Sequence, residues 1–90
     1  MRDSTQASVC STVAAYFDVD PTHVKPEQWL RSDWGLDTIE LNALAMRIEQ
    51  VEGVQIRSQD LAAVQTVGQL ITLVRALHRR AELEKTPAEM

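Results

Sequence analysis

A single cysteine, Cys10, is all that the chain of 90 residues contains. Neither an internal disulfide nor a cysteine-rich zinc site can be assembled from it, and a reducing compartment suits it. Glycine and proline are scarce too, three of each, which leaves long stretches free for helix and argues against a multi-turn all-β fold. Also missing is any apolar run approaching the roughly 20 residues of a membrane span. The start, Met1-Arg2-Asp3-Ser4, lacks the apolar segment of a signal peptide, so a cytoplasmic location is expected. Basic residues are outnumbered, 9 Lys and Arg against 13 Asp and Glu, for a net charge of −4. That balance repels phosphate backbones and anionic lipid, which leaves out general nucleic-acid binding and points to basic proteins as partners.

What is present suffices for one small globular domain. The chain is 44% hydrophobic and 24% charged, too apolar for disorder, and its length rarely accommodates two cores. Acidic residues concentrate in the middle, where Asp33, Asp37, Glu40, Glu49 and Glu52 face only Arg47.

Val9, Val13, Tyr16 and Phe17 share one helical face and predict a first helix from about Ser4 to Phe17. A long connector follows, Asp18 to Leu36, with Pro21, Pro26 and Gly35. Connectors of that length in so small a domain need anchors, here expected from Val19, Val24, Trp29, Leu30 and Trp34. Pro26-Glu27 is the expected place for one short helical turn. Asp37 as N-cap with Glu40 three positions on forms a capping pair, Leu41, Leu44, Ala45, Ile48 and Val51 give an apolar stripe, and Gly53 a stop, so the second helix should span about 38–52. Ser58 is expected to cap a short turn or two carrying Leu61. Thr66 with Gln69 should open the last helix, with Val67, Leu70, Ile71, Val74 and Leu77 as its buried stripe. Residues 1–85 are read as the domain and 86–90 as a frayed tail. The expected fold is all-α, a small four-helix bundle of three longer helices and one short third helix, with a long loop between the first two.

Chemistry concentrates at Gly35-Leu36-Asp37-Thr38-Ile39. If Asp37 caps the helix, the Thr38 hydroxyl stands at the positive end of the macrodipole beside unpaired N–H groups, where a phosphate ester is favoured. Asp33 and Asp37 offer carboxylates toward a metal in a partner enzyme. Elsewhere the bland readings prevail: Cys10 as a packed small side chain, His23 and His78 too far apart for a metal site, Arg79-Arg80 as a solvated helix end. No Ser–His–Asp or paired-carboxylate set emerges, so independent catalysis is not indicated.

The run Asp33-Trp34-Gly35-Leu36-Asp37-Thr38-Ile39-Glu40-Leu41, with Leu44, Met46, Ile48-Glu49, Gly53-Val54-Gln55-Ile56, Asp60-Leu61 and Thr66-Val67, resembles the acyl carrier protein family over about residues 9–77. The resemblance implies a non-catalytic four-helix bundle that carries covalent 4′-phosphopantetheine and tethers acyl chains in fatty-acid, polyketide or related synthesis. By motif, Asp33, Gly35, Asp37 and Ile39 match the residues around the attachment serine, and Thr38 falls on that serine. Threonine keeps the hydroxyl but adds a methyl beside the reacting oxygen. Two readings therefore stand: a carrier modified at Thr38, or an unmodified module that binds proteins. Implied partners are a phosphopantetheinyl transferase and enzymes of acyl-chain synthesis or transfer, with the chain monomeric alone. Glu40, Ala43, Met46, Arg47, Glu49 and Gln50 correspond to the partner-recognition face of the second helix. The acyl pocket is expected at Leu44, Ile48, Ile56, Leu61 and Val64.

Overall fold

The computed structural model describes residues 4–85, and the expected tail, 86–90, lies outside them. Four helices form the bundle: α1 Thr5–Phe17, α2 Thr38–Glu52, the one-turn α3 Ser58–Ala62 and α4 Val67–Lys85. Each stripe read from spacing supplies the core. Val9, Val13, Leu44, Ile48, Val67 and Val74 are all fully buried, in one cluster with Leu30, Leu36, Leu61 and Leu70. Val51, expected in the α2 stripe, is instead 55% exposed; at that last turn of α2 the side facing α1 and α4 is taken by Glu52, which meets Ser8 and His78. Burial pushes the Cys10 thiol up from its ordinary range, which makes the thiolate scarce and fits a packing role.

The helix ends follow local chemistry. At α2 the capping box is complete: Glu40 N–H donates to Asp37 Oδ1 at 2.7 Å, and Asp37 N–H to Glu40 Oε1 at 3.2 Å. Gly53 closes the helix in the left-handed region at φ 70°, where a side chain carries a steric cost. Thr66 and Gln69 cap α4 reciprocally, and Gln65 N–H also donates to Gln69 Oε1. Ser58 caps nothing. It is the first residue of α3, Arg57 holds the cap position, and no side chain satisfies that end.

The α1–α2 connector departs most from expectation. Its helical turn forms at Pro21–His23 rather than at Pro26, because Asp20 Oδ1 accepts from both the backbone N–H and the hydroxyl of Thr22. Those two bonds hold the Asp20 carboxyl below the usual carboxylate range. Gln28 ties the next stretch, accepting from Lys25 N–H and Trp34 Nε1 while donating to the His23 carbonyl. Of the expected anchors, Val24 and Leu30 are buried and Trp34 stacks on Phe17 at 4.7 Å between ring centroids. Trp29 is no core anchor; it is 49% exposed and contributes through its backbone. Around it an isolated antiparallel bridge pairs Trp29 with Thr66: Leu30 N–H donates to Gln65 O, Val67 N–H to Gln28 O and Gly68 N–H to Pro26 O, at 2.8–3.0 Å. Gly68 permits this approach, since a Cβ there would meet Pro26 O at 3.1 Å.

One polar cluster joins three helices. The Glu52 carboxylate, 7% exposed, accepts from the Ser8 hydroxyl of α1 and lies 2.9 Å from His78 Nε2 of α4. The three groups are those of a hydrolytic triad, but in the wrong order: the carboxylate, not the imidazole, stands next to the serine, so the cluster clasps the bundle and cannot relay a proton to a nucleophile.

Ile48→Ala removes a fully buried side chain and is expected to cost about 2–5 kcal/mol. Trp29→Ala, at a half-exposed position, should cost no more than about 1 kcal/mol. Urea unfolding midpoints check both, and equal losses would contradict the placement of Trp29 outside the core.

Candidate functional site

Thr38 is exposed, the first residue of α2 and the neighbour of its Asp37 cap. Leu36, two residues earlier, is buried and fixes the approach of the loop, helped by Leu36 N–H donating to Leu30 O. Gly35 sits at φ 67°, with open space where a Cβ would be; glycine is favoured there for the backbone turn rather than for room. The Asp37 carbonyl starts the helix ladder by accepting from Leu41 N–H at 2.9 Å, and the Thr38 carbonyl accepts from Asn42 Nδ2 at 2.9 Å. Ile39 points outward, 79% exposed.

A residue that spacing did not single out contacts the hydroxyl. Arg31 Nη2 donates to Thr38 Oγ1 at 3.3 Å. Arg31 also lines two adjoining crevices: one of about 330 Å³ with Thr38, Leu41, Asn42, Ser58, Leu61 and Ala62, the other of about 200 Å³ with Trp29, Leu41, Leu61, Ala62, Val64 and Gln65. They form the groove between the loop, the start of α2 and α3. Among the expected acyl-pocket residues, Leu61 and Val64 lie in its floor. Leu44 and Ile48 are packed solid in the core and Ile56 is partly buried against it; none of these three lines either crevice. A larger cleft, about 360 Å³, lies away from Thr38 between the end of α2 and α4.

The acidic middle turns out to be internally committed. Asp33 Oδ2 accepts from Trp29 N–H at 2.7 Å and Glu49 Oε2 from Ile56 N–H at 2.6 Å. Asp37 and Glu40 close the capping box, and Glu52 sits in the three-helix clasp. Asp33 thus closes a turn, and among the described residues no group of three His, Cys, Asp or Glu could hold a metal. Glu49, expected on the outer face, is half-buried and turned toward the α2–α3 connection. Beyond Thr38 and Asn42 at its start, the exposed surface of α2 therefore consists of Ile39, Ala43, Met46, Arg47, Gln50 and Val51, with Glu40 at its edge.

With an exposed hydroxyl at a capped helix start and a groove beside it, the geometry suits a tethered arm, and the comparisons agree. Residues 7–74 match the family model described as "Phosphopantetheine attachment site". Acyl carrier protein 2 of Ralstonia nicotianae is 34% identical over 61 residues, covering 68% of this chain and 75% of the relative. The chain belongs to the acyl carrier protein family. Such proteins are non-catalytic carriers, which accords with the misordered Ser8–Glu52–His78 cluster. The meromycolate extension acyl carrier protein of Mycobacterium leprae is 27% identical over 71 residues; the match takes in 79% of this chain and 62% of that relative, so this carrier chain spans under two thirds of its length. A solved structure described as an acyl carrier protein from Mycobacterium tuberculosis superposes with a TM-score of 0.73 at 24% identity, over 80% of this chain and 96% of that one, a likeness of fold.

Replacing Asp37 with Ala leaves Glu40 N–H without its acceptor. Loss of such a cap costs about 0.5–2 kcal/mol, and the fall should be visible in the unfolding midpoint; an unshifted midpoint would show that the box contributes nothing to holding α2.

Proposed function

We propose that this carrier tethers acyl intermediates through 4′-phosphopantetheine on Thr38 Oγ1, in fatty-acid, polyketide or related biosynthesis. The observation that carries the reading is the exposed Thr38 hydroxyl at the first position of α2, in the motif place of the family's attachment serine. In the attachment step Thr38 Oγ1 attacks the phosphorus of coenzyme A that bears the pantetheine. The pyrophosphate bond breaks, adenosine 3′,5′-bisphosphate leaves, and the hydroxyl proton passes to a base of the transferase. The attached arm supplies a terminal thiol that holds acyl groups as thioesters. Relatives named for meromycolate extension support a pathway that lengthens acyl chains.

The proposal places the carrier unit at residues 1–85, acting alone as a monomer in the cytoplasm with a phosphopantetheinyl transferase and acyl-chain synthesis or transfer enzymes as partners. No described helix is long and apolar enough to cross a membrane. Asp33, Gly35, Asp37 and Ile39 shape the approach to Thr38; Ala43, Met46, Arg47 and Gln50 form the recognition face; Leu61 and Val64 shelter cargo. A second reading, an unmodified module that only binds proteins, draws support from the threonine methyl and from the Arg31 donor that occupies one lone pair of the Thr38 oxygen.

Incubation with a broad-specificity transferase and coenzyme A, followed by intact-mass spectrometry, separates the two. Thr38→Ser should load about ten- to a hundredfold faster than the wild type if the methyl misplaces the oxygen, and Thr38→Ala should stay unmodified. Slow loading of the wild type supports the carrier; loading of Thr38→Ser alone supports the module.

Arg47 is the cation of the recognition face, amid Ala43, Met46 and Gln50. A dedicated partner should meet it with a neutral or acidic patch, so Arg47→Glu is expected to slow association with that partner and to improve contact with enzymes of general fatty-acid synthesis. Association rates by surface plasmon resonance at low and high salt check this. Unchanged rates with both partner classes would remove Arg47 from the interface.

A further inference from the structure

The five charged carboxylates of residues 33–53 each have a committed partner, whereas the nearest cation to Thr38 does not. The Arg31 guanidinium has five N–H donors, and the partner the structure gives it is the neutral Thr38 oxygen, at a long 3.3 Å. Arg31 is exposed, and among the described residues no carboxylate pairs with it. It is also the only charged residue lining either crevice beside Thr38. An arginine held within hydrogen-bond reach of one oxygen, with most of its donors unspent, has the chemistry of a phosphate receptor: its planar fork matches the spacing of two phosphoryl oxygens, and each charge-assisted bond is roughly twice as strong as a neutral one.

We propose that Arg31 is the phosphate-binding residue of the attachment site, pairing with the phosphodiester once Thr38 carries the prosthetic arm and laying that arm into the α2–α3 groove. This rests on the reading of Thr38 as the attachment residue. The site's polarity is consistent along its length. Asn42 and Ser58 flank the crevice nearest Thr38, where amide groups of an arm need partners. Beyond Arg31 the groove runs over Leu61 and Val64 to the exposed ring of Trp29, a surface for the apolar end. The bridge to Thr66 fixes Trp29 and Leu30 by their backbones, so Arg31 projects from a braced segment rather than from a free loop.

The test uses the loaded protein, prepared on wild type and on Thr38→Ser, each with Arg31, Arg31→Lys or Arg31→Ala. The phosphorus resonance of the phosphodiester is followed by ³¹P NMR from low salt to about 1 M, where charge interactions are screened beyond about 3 Å. With Arg31 the resonance should move as salt rises. Arg31→Ala should place it at the high-salt position at every ionic strength, and Arg31→Lys should give a smaller salt-dependent shift, the charge being kept and the fork lost. Matching unfolding midpoints confirm that the exposed side chain was removed without loosening the fold. Identical, salt-independent resonances in the Arg31 and Arg31→Ala proteins would overturn the assignment of Arg31 while leaving attachment intact. Absence of loading on both Thr38 and Thr38→Ser would overturn the attachment reading, and Arg31's role with it.

Discussion

The short backbone bridge between the α1–α2 connector and the start of α4 is the constraint on which the rest of the molecule depends. A connector of this length would leave the start of α2 free to wander, at a conformational cost of roughly 1–2 kcal/mol for each residue ordered. Three backbone hydrogen bonds, from Leu30, Val67 and Gly68, fasten the loop where Gly68 lets Pro26 come close. Leu30 and Leu36 then drive apolar anchors into the core on either side of the exposed turn. Arg31, Asp33, Gly35 and Asp37, which surround the approach to Thr38, are carried on that braced segment.

Acidic charge has a second use here. A count of residues 33–53 suggests a surface meant to attract basic partners, yet each of the five carboxylates accepts a hydrogen bond from within the chain. They cap α2, close the turn at Trp29, hold the α2–α3 connection and clasp three helices. The exposed side of α2 is left with Ile39, Met46 and Arg47 as its most distinctive groups. A face of that kind suits partners that read shape and apolar contact, with charge setting selectivity rather than overall attraction.

The helices were legible in the sequence because their signals are local. Asp37 with Glu40, the apolar period from Leu41 to Ile48 and Gly53 mark α2 to its observed bounds, and Thr66 with Gln69 does the same for the start of α4. Thr38 could be singled out for the same reason. What stayed hidden depends on residues far apart in the chain or on backbone atoms. Nothing in the side chains around Trp29 announces a bridge to Thr66, so the sequence suggests an anchoring ring where the fold is held by the Trp29 backbone and the ring faces the groove. Arg31 reaches Thr38 because a turn folds seven residues back on themselves, and Ser8, Glu52 and His78 meet only once three helices have packed. Leu44 and Ile48 illustrate a related limit: periodicity tells that a side chain faces inward, but not whether a cavity or a solid core awaits it.

The central claim is that Thr38 does the work of an attachment residue in this chain. The most direct measurement is tandem mass spectrometry of the protein purified from its native source without added transferase. The account predicts a 4′-phosphopantetheine modification on the peptide containing Thr38, localised to that residue by fragments between Asp37 and Ile39. A native population in which that peptide is recovered wholly unmodified, from cells actively making acyl products, would contradict it.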